Sequence, residues 1–161
     1  MMRLVLWGSA FAGTMTALAL ATPAMADETR VEVHTGLDWS QGNTKGTIGI
    51  AGGRDFTLAP GTFLGVEGSL DKLLASNAVA VFGLTARGGI AVPTLGKIYA
   101  LGGYATKPFH GGSPDWNYGF GVQHPLGAKT YAKLEYRHYT ESANGITPVR
   151  NAMTVGFGAT F

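Results

Sequence analysis

The sequence predicts an all-β fold: an eight-stranded antiparallel up-and-down β-barrel that spans a membrane, preceded by a cleavable signal peptide. Three observations carry this. The first is the last eleven residues, 151–161, in which Met153, Val155, Phe157, Ala159 and Phe161 alternate with Ala152, Thr154, Gly156, Gly158 and Thr160. Strand side chains alternate between faces, so one face is oily and the other small and hydroxylic. The second is that alternating segments of this kind recur along the chain at barrel-strand length, about ten residues. The third is composition. Glycine is the commonest residue, 25 of 161, and only 14% of residues are charged, against about 25% in soluble domains. Such glycine content with alternating apolar residues suits a twisted, tightly curved sheet.

The amino terminus reads as an export signal. Arg3 supplies the positive start, and residues 4–21 form an apolar stretch broken by Gly8, Ser9, Gly13, Thr14 and Thr16. Pro23-Ala24-Met25-Ala26 then offers an Ala-x-Ala site before Asp27-Glu28. The expected cleavage between Ala26 and Asp27 separates a signal peptide (1–26) from a barrel domain (27–161). The competing reading is a membrane anchor of about 18 residues; the small residues and the acidic pair favour cleavage. Cysteine is absent, which excludes a lipid anchor on Cys and a disulfide framework. Without Arg3, eleven Lys and Arg face ten Asp and Glu. The pI near 9.0 therefore reflects near balance, and nucleic acid is not an expected partner.

The eight expected strands are 31–39, 47–58, 62–72, 78–92, 98–107, 116–126, 130–140 and 151–161. Strand one sets Val31, Val33, Leu37 and Trp39 against Glu32, His34 and Asp38. Strand three sets Leu64, Val66 and Leu70 against Glu67, Ser69 and Asp71, and strand four sets Phe82, Leu84 and Ile90 against Thr85 and Arg87. Strands six and seven alternate in the same way, with Lys133, Glu135 and Arg137 opposite Leu134, Tyr136 and His138. In strand two Arg54 falls on the apolar side, which calls for a bulge at Gly52-Gly53 or a snorkelling side chain. Strand five shows no clear face. Connections 59–61, 93–97 and 127–129 are short, whereas 40–46, 73–77, 108–115 and 141–150 are mostly longer and more polar. With short periplasmic turns and longer outer loops, both termini lie in the periplasm. Span 73–77 is the weak case.

A soluble ligand-carrying barrel would show similar alternation turned inside out, with large apolar groups within. Here the non-oily face is rich in Gly, Ala and Thr with a few charges of both signs, which fits a narrow lumen. Trp39, Trp116 and Tyr118 gather at the outer end, and Phe56, Tyr131 and Phe161 at the periplasmic end, as in interfacial girdles.

With these strands placed, the chain resembles the small outer-membrane β-barrel family of opacity-type surface proteins and OmpA-type barrels. The resemblance covers essentially the whole of 27–161. It is carried by Tyr99-Ala-Leu-Gly-Gly-Tyr-Ala105, Tyr118-Gly-Phe-Gly-Val122 and Tyr131-Ala-Lys-Leu-Glu-Tyr-Arg137. It implies a bacterial outer-membrane location and a role as surface antigen, adhesin or envelope-stabilising protein. The implied partners are outer-membrane lipid and lipopolysaccharide, and the barrel-assembly machinery acting on the C-terminal strand. An extracellular ligand at the outer loops is a further expectation. The periplasmic peptidoglycan-binding domain of full OmpA-type proteins is missing from this sequence.

Two constellations carry candidate chemistry. Glu32, Asp55, Glu67 and Glu135 share the inward face with Arg87, Lys133 and Arg137. They predict an internal salt-bridge network that plugs the lumen, since eight strands leave room only for side chains; a narrow ion path for small solutes is the alternative. The second is His138-Tyr139-Thr140. Lipid A 3-O-deacylases are small outer-membrane barrels with a His-x-Ser pair on a late strand, and His138 and Thr140 share the outward face here. A hydrolase needs a nucleophilic hydroxyl, an imidazole base and an orienting acid. Thr replaces Ser, and strand eight has no carboxylate, so this enzyme stands as an alternative to a non-enzymatic barrel. His34, His110 and His124 lack ligand-like spacing, and no phosphate-cradling motif occurs, so neither metal nor cofactor is expected. Lys45, Lys72, His110, Asp115, Glu141 and Arg150 are the expected loop charges.

Overall fold

The computed structural model describes residues 27–106, 114–140 and 149–161. Cleavage-site residue Ala26, His110 and Glu141 lie outside the described residues. Eight antiparallel strands, β1 (Glu28–Ser40), β2 (Asn43–Ala59), β3 (Thr62–Leu73), β4 (Ala80–Val92), β5 (Gly96–Ala105), β6 (Asp115–Pro125), β7 (Thr130–Tyr139) and β8 (Arg150–Thr160), form a closed barrel in chain order. β8 returns to β1 over ten pairs, with Val33 opposite Phe157 and Trp39 opposite Asn151. Phe161 N–H donates to Thr29 O at 2.9 Å. Closure satisfies the backbone of every strand on both sides, which hydrocarbon demands because it offers no water to an open edge.

Parity sets the two faces. Val33, Ile50, Phe82, Leu84, Phe120 and Phe157 are among the exposed large apolar residues of the outer wall, whereas Glu32, Asp55, Glu67, Arg87, Lys133 and Glu135 are buried. The molecule is therefore oily outside and charged inside, the opposite of a soluble barrel. The ambiguous fifth strand resolves on the same rule. Tyr99 and Leu101 point inward and pack with Phe63 into a small apolar cluster, while Ile98 and Tyr104 face out.

Two expectations need correction. The first outer connection is not a seven-residue loop. β1 and β2 extend to Ser40 and Asn43, leaving Gln41 (φ 46°) and Gly42 (φ 81°) as a two-residue hairpin turn. Both φ values are left-handed, as a type I′ turn requires. The connection between β3 and β4 is longer, so the weak case in the sequence is the wider loop. Second, the register of β2 is regular through Gly52-Gly53-Arg54, and its shift falls between Thr57 and Ala59. Arg54 points outward and snorkels, donating to Asp27 at 2.9 Å near the terminal end, with its guanidinium 5.6 Å from the Phe56 ring centre.

Candidate functional site in the lumen

Inward positions of all eight strands deliver the polar contents of the barrel, and these fall into layers. At the end that carries the termini, Lys97 Nζ donates to Glu28 and Asp55, each at 2.7 Å. Arg87 grips Asp55 through Nε at 3.0 Å and Nη2 at 2.6 Å, and also reaches Gln123 at 2.9 Å. The Arg87 guanidinium lies 4.7 Å from the Tyr99 ring centre. A fork of this kind binds a carboxylate by geometry as well as charge.

The middle layer joins both halves of the sheet. Arg30 Nη2 donates to Glu67 at 2.8 Å and Nη1 reaches Asp55 at 3.4 Å. Arg137 donates to Glu135 at 2.5 Å, Glu67 at 3.1 Å and the Thr85 hydroxyl at 2.9 Å. Lys133 pairs closely with Glu32 and lies 3.6 Å from Glu67 and 3.5 Å from Glu135. Tyr99 and Tyr131 donate their hydroxyls to Glu135 and Glu32 at 3.0 and 2.9 Å. Four carboxylates (Glu32, Asp55, Glu67, Glu135) thus face four cations (Arg30, Arg87, Lys133, Arg137), all but Arg137 buried. Balance of sign and dense hydrogen bonding are what allow ions to be withdrawn from water.

Towards the loop end the packing loosens. His34 sits between Glu32 (3.3 Å) and Asp71 (2.5 Å), and Ser69 donates to Asp71 at 2.7 Å. A cavity of about 50 Å³ borders His34, Asp71, Arg137, Tyr139 and Arg150. Above it Arg150 pairs with Asp38, stands 3.6 Å from Asp115 and stacks 3.6 Å from the Tyr139 ring centre. At the opposite mouth a separate open cavity of about 330 Å³ borders Glu28, Lys97, Gln123 and Tyr131. The ion-pair layer stands between the two.

The structure brings together all seven of the charges expected in the lumen, and adds Arg30, Lys97, Gln123, Tyr99 and Tyr131. Tyr131 is a correction: it is only 2% exposed and bonds Glu32 inside the barrel. It is not a girdle residue, because odd positions of β7 point inward. Trp116, Tyr118 and Phe161 are exposed, and Trp39 stacks on Tyr136 from the outer wall, ring centres 6.3 Å apart. Asp115 and Arg150 are likewise not loop charges but buried strand residues. Lys45 and Lys72 lie within β2 and β3.

His138 and Thr140 do not meet as base and nucleophile in this arrangement. His138 Nδ1 shares the Asn151 amide oxygen (2.8 Å) with the Tyr136 hydroxyl (2.7 Å). Thr140 Oγ1 donates to the Trp116 carbonyl at 3.2 Å. Among the described residues no group of three or more His, Cys, Asp or Glu is arranged to hold a metal ion.

Solved barrels share this architecture at low identity. Neisserial surface protein A aligns at 12% identity over 84% of this chain and 97% of its own, with a TM-score of 0.55. The attachment invasion locus protein Ail of Yersinia pestis, solved with the heparin analogue sucrose octasulfate, aligns at 13% identity over 85% and 100%, TM-score 0.53. The N-terminal barrel of Pseudomonas aeruginosa OprF aligns at 16% over 82% and 97%, TM-score 0.52. These likenesses show the fold. No curated protein sequence matches the chain. The model for the outer membrane protein beta-barrel domain matches residues 12–161, and with that match, the closed eight-strand sheet and the inverted polarity of its two faces, the chain belongs to the outer membrane protein beta-barrel family.

Proposed function

We propose that the chain is exported through a cleaved signal peptide and serves as a plugged, non-enzymatic barrel that presents its loop end at the cell surface. Its role on this reading is structural or surface-interacting, not solute transport. The observation that carries it is the middle layer of the lumen, where buried charges of both signs occupy the space a pore would need. Rigid strands holding exposed connections at one end are a scaffold on which binding resides in loops.

Orientation and display are testable because the chain has no cysteine. Asn43→Cys marks the loop end and Ala128→Cys the terminal end, both at exposed positions. A membrane-impermeant maleimide applied to intact cells should label Asn43→Cys and spare Ala128→Cys. The reverse pattern would overturn the surface-display reading.

A further inference from the structure

Towards the loop end of the lumen, the paired positions across β1, β2 and β3 are His34, Gly49 and Asp71. The glycine is what lets the outer two meet. A Cβ at Gly49 would fall on the Asp71 carboxylate and lie 2.5 Å from His34 Nε2, so a larger residue would part them. On its other side His34 is paired with Gly156 of β8, where a Cβ would stand 3.4 Å from His34 Cβ and from Glu32 Oε1. Glycine weakens a strand interior. Here two of them open a slot for one imidazole ring.

Both nitrogens of that ring face carboxylates. Nε2 is 2.5 Å from Asp71 Oδ1 and Nδ1 is 3.3 Å from Glu32 Oε1. Nδ1 is buried with no hydrogen-bond partner among the described residues. A neutral ring carries one N–H, and only the imidazolium presents a donor to each side. Every other carboxylate among the described residues has a lysine or arginine as an ion-pair partner, and Asp71 alone is paired only with a histidine. Lysine and arginine keep their charge through the neutral range, in which histidine titrates.

The other charged groups around the slot do not replace His34. Lys133, Glu135, Arg137 and Tyr139 of β7, Arg150 of β8 and Asp38 of β1 border the same small cavity, to which β4 and β5 bring only Val81, Gly83 and Ala105. Lys133 and Arg137 are held by Glu32, Glu67 and Glu135, and Arg150 by Asp38 and Asp115. Lys72 also borders the cavity but is exposed on the outward parity of β3.

We propose that His34 and Asp71 form a pH-sensitive latch that ties β1 to β3 over β2. Protonated, His34 holds Asp71 through Nε2–H and faces Glu32 with Nδ1–H. When the ring gives one proton to water, the charge that binds Asp71 is gone, whichever nitrogen released it. The stability that the pair contributes is therefore present at low pH and lost as pH rises through the His34 titration. The latch lies inside the lumen and does not depend on which end of the barrel faces outward.

The test uses the refolded full-length barrel in detergent micelles with isotope-labelled histidine, followed by NMR from about pH 5 to about pH 10. Heat-modifiable gel mobility checks that each variant is folded. Ring signals missing from His34→Gln identify His34. They should show two protonated nitrogens at the acid end and one at the alkaline end, with the Asp71 amide shifting at the same midpoint. Asp71→Asn, and Gly49→Ala, which keeps both groups but separates them, should move that midpoint to lower pH. In denaturant titrations at about pH 6, Asp71→Asn should lower the folding constant at least about tenfold, and the gap from wild type should close towards about pH 10. A His34 ring that keeps one charge state across the range would overturn the latch. So would a midpoint unchanged in the folded variants, or a stability gap that does not vary with pH.

Discussion

Arg87 and Arg54 are the same side chain placed on opposite faces of one sheet. Arg87 has a side chain 1% exposed, bound twice by Asp55 and once by Gln123. Arg54 is 55% exposed and, among the described residues, pairs with the Asp27 carboxylate beside the Phe56 ring. A buried ion that loses its partner keeps the cost of leaving water, so each ion inside depends on its neighbours. On the wall near the terminal end, water and headgroups take over when a partner leaves. The lesson is that the number of ion pairs says little about stability; the face on which they lie decides.

Glu67→Ala breaks this comparison hardest. It strips the buried Arg30 and the half-buried Arg137 of a carboxylate at 2.8 and 3.1 Å, which costs about 3–5 kcal/mol. Reversible denaturant unfolding of the folded barrel measures it, and a loss under about 1 kcal/mol would mean that water reaches the layer. Gly121→Leu comes next. Its Cβ would lie 2.6 Å from the Tyr99 ring, so overpacking of about 1–3 kcal/mol is expected, together with a displaced Tyr99–Glu135 hydrogen bond. Asp27→Ala, which removes the wall pair, should cost about 0–1 kcal/mol in the same assay. If it matched Glu67→Ala, the two faces would not differ as argued.

Much of this was legible in the sequence wherever alternation was strict. Residues 130–140 and 151–161 announced their faces because long apolar groups alternate with charges or with small residues. Residues 98–107 did not, because Tyr99 and Leu101 are apolar residues that point inward beside Phe63, and parity by polarity fails when the lumen holds an apolar patch. Arg30 escaped because the first strand starts three residues earlier than its apolar pattern, at Glu28. Alternation with Glu32 was the signal that could have found it. Tyr131 resembles a girdle residue by its type and its position near the strand end, yet its odd position in β7 assigns it to the lumen. The hairpin at Gln41-Gly42 was hidden because polar residues 43–46 read as loop, whereas pairing with β1 makes them strand.

The proposed function requires a lumen closed by its own side chains. Single-channel recording of the refolded full-length barrel in planar bilayers addresses this directly. Arg30, Glu67, Lys133, Glu135 and Arg137 cross-brace the middle of the lumen, so no large, stable conductance steps are expected at moderate voltage. Large open steps of long duration in the wild-type protein would contradict a closed lumen.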